Sequence, residues 1–450
     1  MKTKKQRKPA KKTTKRSTLS ADPRKNAIRF LSKHGAYFGD ISIKKWSDTF
    51  QAEMSRGLAG KKSSLKMIPT YIEADAEHDI PKDKKVVVLD AGGTNFRVAT
   101  LHFSADSKPV VERFTTHRMP GTERELSKQE FYTAMASHVR PVADAADAIS
   151  FCFSYPVEMA PSKDGRLIHF TKEVKAKEVE GTFIGEGLNY ALGMKKKIII
   201  LNDTVATLLA GRASAAHRQF GSFIGFILGT GTNTSYVEHN SKIIKAPSLD
   251  KKRSQCINIE SGGLNAVPYG TFDDMLDKTT LDRGNYRFEK MVSGRYIGPL
   301  AKFAITAACS EGLFSADAVK ALSSVGALET KDVNAFITAP LGAQHAFSAV
   351  KNENDIRTLW HLFDMLVSRS AILTTINLAS VILASGAGTD ALQPVCITAE
   401  GTTYYRLAGL RRKTEAFMRG FLSGKNERHY EIVSVDNATL IGTAVAGLLN

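Results

Sequence analysis

Asn202, Asp203 and Thr204 form the first cluster that could do chemistry. They close an apolar run, Lys195 to Leu201 (KKKIIIL), and lead into a helical stretch, Val205 to Gly211. A carboxylate at the C-terminal end of a buried parallel strand faces the crevice where α/β proteins bind ligands. Asn202 could orient a ligand hydroxyl and Asp203 could take its proton. The same residues could instead simply cap the helix, which Asp and Thr do well.

Two glycine-rich turns flank this cluster. The first lies in Lys84 to Phe103, KKVVVLDAGGTNFRVATLHF. Its β-branched run reads as a buried strand, and Val98 to Phe103 reads as the return strand of a hairpin. Between them, Gly92 and Gly93 let backbone N–H groups approach an anion. Thr94 and Asn95 offer short polar groups to phosphate oxygens, Arg97 a fixed charge, and Asp90 a carboxylate for a hydrated metal. Such turns also occur as ordinary β-hairpins. The second turn, Gly229-Thr230-Gly231-Thr232-Asn233 within Gly221 to Glu238, repeats the pattern. Two such hairpins, with an Asn-Asp strand end between them, suggest an internal duplication able to grip a polyphosphate from both sides. A further polar cluster, Ser154 and then Thr171-Lys172, suits a polyhydroxylated ligand, or an ordinary polar turn.

The elements that must carry these residues follow from periodicity. Pro23 to Gly60 is helical in pattern, and Met67 to Tyr71 is extended. Val110 to Met119 is a strand, Leu126 to Ala146 a helix, and Ile149 to Tyr155 a buried strand. This alternation indicates an α/β fold. Leu300 to Leu341 is helical with an interruption near Ser323 to Ala327. Ile356 to Ala384 reads as a helix pair ending at Gly386. Val395 to Leu407 reads as a strand, a turn at Glu400-Gly401-Thr402 and a continuation. His429 to Val435 is a strand and Leu440 to Leu449 a terminal helix.

Composition sets the outer limits. A chain of 450 residues exceeds one hydrophobic core, so two domains are expected. Of the net charge of +17, nine positive charges fall in Lys2 to Arg16, which contains no acid. That tail is expected to be disordered, and either an inert solvated arm or a weak tether to anionic surfaces or nucleic acid. Cys152, Cys256, Cys309 and Cys396 are scattered, which fits a reducing cytoplasm and opposes a disulfide framework or zinc site. Neither a membrane span nor a secretory signal is expected, because apolar runs are short and the N-terminus lacks an apolar region.

Taken together, the motifs resemble the hexokinase family, sugar kinases with the two-domain actin-like ATPase (ribonuclease H-like) fold and an interdomain cleft. DAGGTNFR at Asp90 to Arg97 is similar to the family's first phosphate motif and GTGTN at Gly229 to Asn233 to its second. FSYP at Phe153 to Pro156 and FTKEVKAKEVEG at Phe170 to Gly181 resemble its sugar-domain segments. LNDTVAT at Leu201 to Thr207 resembles the segment with the catalytic aspartate. NIESGG at Asn258 to Gly263 and FEKMVSGRYIG at Phe288 to Gly298 resemble those supplying sugar-binding glutamates. Val395 to Leu407 resembles the adenosine motif. All occur in family order. Two positions depart: Glu400 stands where the family usually has Asp, and Ser261-Gly262-Gly263 where eukaryotic members usually carry Trp-Gly-Ala.

The resemblance implies transfer of the ATP γ-phosphoryl group to the 6-hydroxyl of a hexose, glucose first, opening glycolysis. Asp203 would be the general base, with Lys172 beside it in the catalytic set. Ser154, Thr171, Lys172, Asn202, Asn233, Glu260 and Glu289 would hold the sugar. Asp90, Gly92, Gly93, Thr94, Asn95, Arg97, Gly229, Thr230, Gly231, Thr232, Gly401 and Thr402 would bind ATP, with Asp90 on Mg²⁺ through water. The implied parts are a tail over 1–20, a helical segment over 21–75 packed on the large domain, a small domain over 76–201, a large domain over 202–437, and a helix over 438–450 returning to the small domain. Sugar-driven closure of the cleft would exclude water. The resemblance implies a monomer or homodimer. A retired sugar sensor and a non-sugar assembly ATPase are the alternatives; the full set of sugar-shell residues argues against the second.

Overall fold

The computed structural model describes residues 22–73, 79–170, 174–214 and 218–450. The basic tail, Thr171 and Lys172 lie outside the described residues. A two-residue strand, β1 (Ile68–Pro69), precedes the first glycine turn. The run around Val86–Leu89 then forms β2 (Val86–Gly92), buried along six of its seven positions. It is followed by β3 (Asn95–Phe103), β4 (Pro109–Arg118) and β5 (Ala148–Phe153). A small hairpin, β6 (Val157–Met159) and β7 (Gly165–Leu167), interrupts the sequence before β8 (Lys197–Leu201). The second half supplies β9 (Ser222–Leu228), β10 (Thr232–His239), β11 (Ser254–Asn258), β12 (Val395–Glu400) and β13 (Tyr430–Val433).

These strands build two main sheets with one plan. The first runs β4-β3-β2-β5-β8 and the second β11-β10-β9-β12-β13, with β1 added beside β11. In each, the first strand pairs antiparallel with the second and parallel with the fourth. The fifth strand pairs parallel with the fourth in both. The duplication suggested by the two turns is therefore a duplication of whole sheets. Both turns emerge from the end of a central first strand, where parallel neighbours also end.

Two helices lie between the sheets: Asp203–Ser214 and the terminal Ala438–Leu449. Their core joins residues of β2, β8, β9 and β12, including Val86, Leu201, Phe223 and Cys396. The outer face of the first sheet is covered by the helices Lys128–Ala143 and Ile184–Leu192. The outer face of the second is covered by the larger helical layer, including Pro23–Lys33, Ile43–Leu58 and Glu353–Ser385. The central layer is tight enough to be specified by glycine. A Cβ on Gly442 would lie 1.7 Å from the Ala206 carbonyl oxygen, and one on Gly225 would lie 2.1 Å from that of Thr204.

Two elements differ from expectation. Glu353–Ser385 is one helix of 33 residues, not a pair. Asn352 caps it by accepting from the N–H groups of Asn354 (2.9 Å) and Asp355 (3.2 Å), and Gly386 ends it at φ 77°. Its central hydroxyls stay inside the helix: Ser368 Oγ donates to Asp364 O (2.7 Å) and Thr375 Oγ1 to Ala371 O (3.0 Å). This helix is long and apolar enough to cross a membrane, but 94% of its most apolar stretch is buried within the protein. Inside it, Arg369 makes a buried two-pronged ion pair with Asp273, at 2.9 and 2.5 Å. The second difference follows β12. Gly401, at φ 107°, turns the chain into a short helix, Thr402–Arg406, instead of a strand continuation.

Substituting Gly442 by Ala should force the two central helices apart. Overpacking of this kind typically costs about 1–3 kcal/mol, so thermal unfolding should shift to lower temperature. An unchanged melting temperature would show that the contact has slack.

Candidate active site

Expected residues that the structure describes come together where strands of both sheets end. Asp90 is the fifth residue of β2 and is buried; Arg97 Nη1, across the hairpin on β3, donates to its Oδ2 at 2.9 Å. Arg97, expected on phosphate, thus also holds a carboxylate. Gly93, half-buried, and Thr94, exposed, form the two-residue turn, closed by the Gly92–Asn95 pair. Tyr155 donates its hydroxyl to Gly93 O at 3.1 Å, fixing the turn from below. Ser154 follows β5 at the same end, and its N–H donates to Ala91 O at 3.0 Å.

Asp203 is the first residue of the central helix Asp203–Ser214, directly after β8 and Asn202. The capping geometry is visible there. Its Oδ1 accepts from the Thr204 N–H at 2.8 Å, and Asn202 Oδ1 accepts from the same N–H at 2.9 Å. The electrostatics show what else Asp203 faces. Burial, opposed by Arg97 and reinforced by the Asp203 charge, pushes the Asp90 carboxyl above the usual carboxylate range. Glu400, the last residue of β12, is raised first by burial and then by Asp203. Three carboxylates from β2, the central helix and β12 therefore lie close enough to act on one another's charge. Beneath them, burial followed by the charges of Asp90 and Asp203 drives the Cys152 thiol far up, so it stays protonated.

A second group of polar residues forms a chain beside Asp203. Asn233 Nδ2 donates to Asn202 Oδ1 (3.4 Å) and to Asn258 Oδ1 (2.8 Å). Asn258 Nδ2 in turn donates to Glu260 Oε1 at 2.8 Å. Glu260 sits in the left-handed region at φ 58°, a strained choice for a side chain that this chain of bonds holds in place. Glu289, in the short helix Arg287–Val292, accepts the Thr232 N–H at 2.9 Å. Its pKa is raised by burial, lowered by that N–H and raised again by Glu260. A Cβ on Gly231 would lie 2.6 Å from Glu289 Oε2, so the second turn and this glutamate are in direct contact.

The nucleotide-side residues are also joined. Gly229 N donates to Gly231 O (2.9 Å), and Gly229 O accepts from Gly294 N and from Thr403 Oγ1, each at 2.8 Å. The second turn is thereby tied to the Gly401-Thr402 segment. Thr230 is exposed at its tip. Three contributors escaped sequence reasoning as site residues: Asn258, Glu400 and Tyr155. Asn258 and Tyr155 lie inside the quoted motifs NIESGG and FSYP, and Glu400 had been noted only as a departure.

Comparisons with known proteins give the family and the fold. Models described as "Hexokinase" match residues 35–213 and 223–449. The chain belongs to the hexokinase family. Hexokinase-1 of Spinacia oleracea is 30% identical over 317 residues, covering 65% of this chain and 62% of that protein. Hexokinase-3 of Homo sapiens is 30% identical over 295 residues, covering 62% of this chain and 31% of that protein. The chain thus spans less than two thirds of these curated relatives. Among solved structures, the hexokinase of Schistosoma mansoni complexed with glucose has a TM-score of 0.69 at 23% identity, covering 94% of this chain and 98% of that one. A ROK hexokinase from Thermus thermophilus has a TM-score of 0.53 at 18% identity, covering 81% and 98%. These likenesses establish the fold as that of the actin-like sugar kinases.

Arg97 is the positive charge that holds Asp90 down against burial. Replacing Arg97 by Gln should move the Asp90 carboxyl to a still higher titration point, read by ¹³C NMR of the aspartate carboxyls in the metal-free protein. An unchanged or lower point would contradict the pairing.

Proposed function

We propose that this protein transfers the γ-phosphoryl group of ATP to the 6-hydroxyl of a hexose, with glucose the first candidate. The observation that carries the reading is the placement of Asp203: at the head of a buried helix, in one cleft with Asp90 and Glu400, and beside the Asn233–Asn258–Glu260 chain. A family relationship supports the reaction class, and the glucose named with the Schistosoma mansoni structure supports the sugar.

The chemistry is mostly positioning and charge. Glu260 and Glu289 accept hydrogen bonds from ring hydroxyls, while Asn202 and Asn233 offer amide donors and acceptors. Their convergence sets the sugar so that its 6-hydroxyl meets Asp203. Asp203 accepts the hydroxyl proton as the oxygen bonds to the γ-phosphorus, and the bond to the β-phosphate oxygen breaks, releasing ADP. The N–H groups of the two glycine turns face the phosphates from opposite sheets. The Gly401-Thr402 segment, bound to the second turn, receives the nucleoside. Asp90 and Glu400 are hard oxygen donors whose crowding with Asp203 favours a bound cation. Mg²⁺ suits such a pair, because it is usually held by one or two carboxylates together with phosphate oxygens. When bound, Mg²⁺ would neutralise phosphate charge. Thr171 and Lys172 are assigned to the sugar from the family motif alone.

General-base assistance is worth about 10²- to 10⁴-fold. Asp203→Asn should therefore lose at least two orders of magnitude in kcat for glucose phosphorylation in a coupled assay, while glucose binding by calorimetry persists. Retained turnover would remove Asp203 from this role.

A further inference from the structure

A second cavity, of about 490 Å³, opens at the other end of β12. That volume lies within the range of small-molecule sites. Its wall includes Pro394, just before β12, and Tyr430, the first residue of β13. Glu400 ends β12, so at about 3.3 Å per residue the cavity lies roughly 17 Å from the cleft.

Four guanidinium groups line it. Arg411 and Arg419 lie on one face of the helix Leu410–Phe421, two turns apart, with Glu415 between them. Glu415 pairs with Arg411 at 2.7 Å and with Arg419 at 3.8 Å. Arg218 enters from the segment before β9 and pairs with Glu431 of β13. Arg428 has no carboxylate partner among the described residues. Its Nη1 donates to Glu427 O at 2.7 Å, and its Nε is shielded from solvent with no hydrogen-bond acceptor. Two carboxylates thus face four arginines, and one buried donor is left without an acceptor, which is unfavourable.

The cations are also held in place. The Arg411 guanidinium lies over the Tyr405 ring at 5.4 Å, and that of Arg218 over Phe220 at 5.5 Å. Fixed, planar guanidinium forks match phosphate oxygens better than any other side chain. On the remaining wall, Pro394, Leu422 and Ile432 present apolar surface.

We propose that this cavity binds a small phosphate ester, separate from the substrate cleft. Its phosphate accepts from Arg428 and Arg419, the guanidinium groups least neutralised by carboxylates, and its carbon part lies against Pro394, Leu422 and Ile432. Inorganic pyrophosphate is a suitable probe, titrated calorimetrically into the full-length protein at low ionic strength. Arg428→Gln should weaken a saturable binding event at least ten-fold. Glu431→Gln, by freeing Arg218, should strengthen it several-fold, a gain that misfolding cannot produce. The proposal is overturned if the parent shows no saturable binding, or if both variants bind pyrophosphate as the parent does.

Discussion

The site depends on how closely the helix Asp203–Ser214 is held between the two sheets. Its backbone meets β9 at Gly225 and the terminal helix at Gly442, with no room for a Cβ at either contact. Protein interiors transmit such contacts rigidly because they are close-packed. Asp203, as the first residue of this helix, inherits that fixed position. The same helix lies against β12, so its head, the end of β2 and the end of β12 are brought to one place. The two sheets share one topology, and the candidate residues Asp90, Ser154, Asp203, Gly229 and Glu400 lie at or close to the ends of β2, β5, β8, β9 and β12.

That arrangement is electrostatically costly before any ligand arrives. Asp90 and Glu400 are raised mainly by burial and further by Asp203. The protein offsets this locally: Arg97 answers Asp90, and Thr207 Oγ1 donates to Glu400 at 3.4 Å. A cation and the donors of an incoming substrate would relieve the rest. On the opposite flank, amides are interleaved with the carboxylates of Glu260 and Glu289. Asn233 and Asn258 link Asn202 to Glu260 without adding repulsion. The site thus carries crowded carboxylates where phosphates and a metal are expected, and amides interleaved with Glu260 and Glu289 where hydroxyls are expected.

Much of this was legible because the signals are local. A β-branched run ending in Asp90-Ala-Gly-Gly, a second run ending in Gly229-Thr-Gly-Thr, and Ile198–Leu201 ending in Asn202-Asp203 each announce a strand end with chemistry attached. What the pattern could not show depends on partners distant in sequence. Asn258 reaches Asn233 only because β10 and β11 pair with Ser235 opposite Asn258. Arg369 finds Asp273 across 96 residues. The stretch read as a helix pair is continuous, and interior hydroxyls such as Ser368 and Thr375 bond back to the preceding turn, leaving the helix whole. Strand continuation after Glu400 failed on one dihedral, the left-handed φ of Gly401.

The central claim concerns one oxygen-to-oxygen distance. A crystal structure with glucose and a non-hydrolysable ATP analogue measures it directly. An Asp203 carboxylate oxygen should lie within about 2.6–3.2 Å of the sugar's 6-hydroxyl, with both glycine turns against the triphosphate. A 6-hydroxyl bonded to some other group, with Asp203 left only as the cap of its helix, would contradict it.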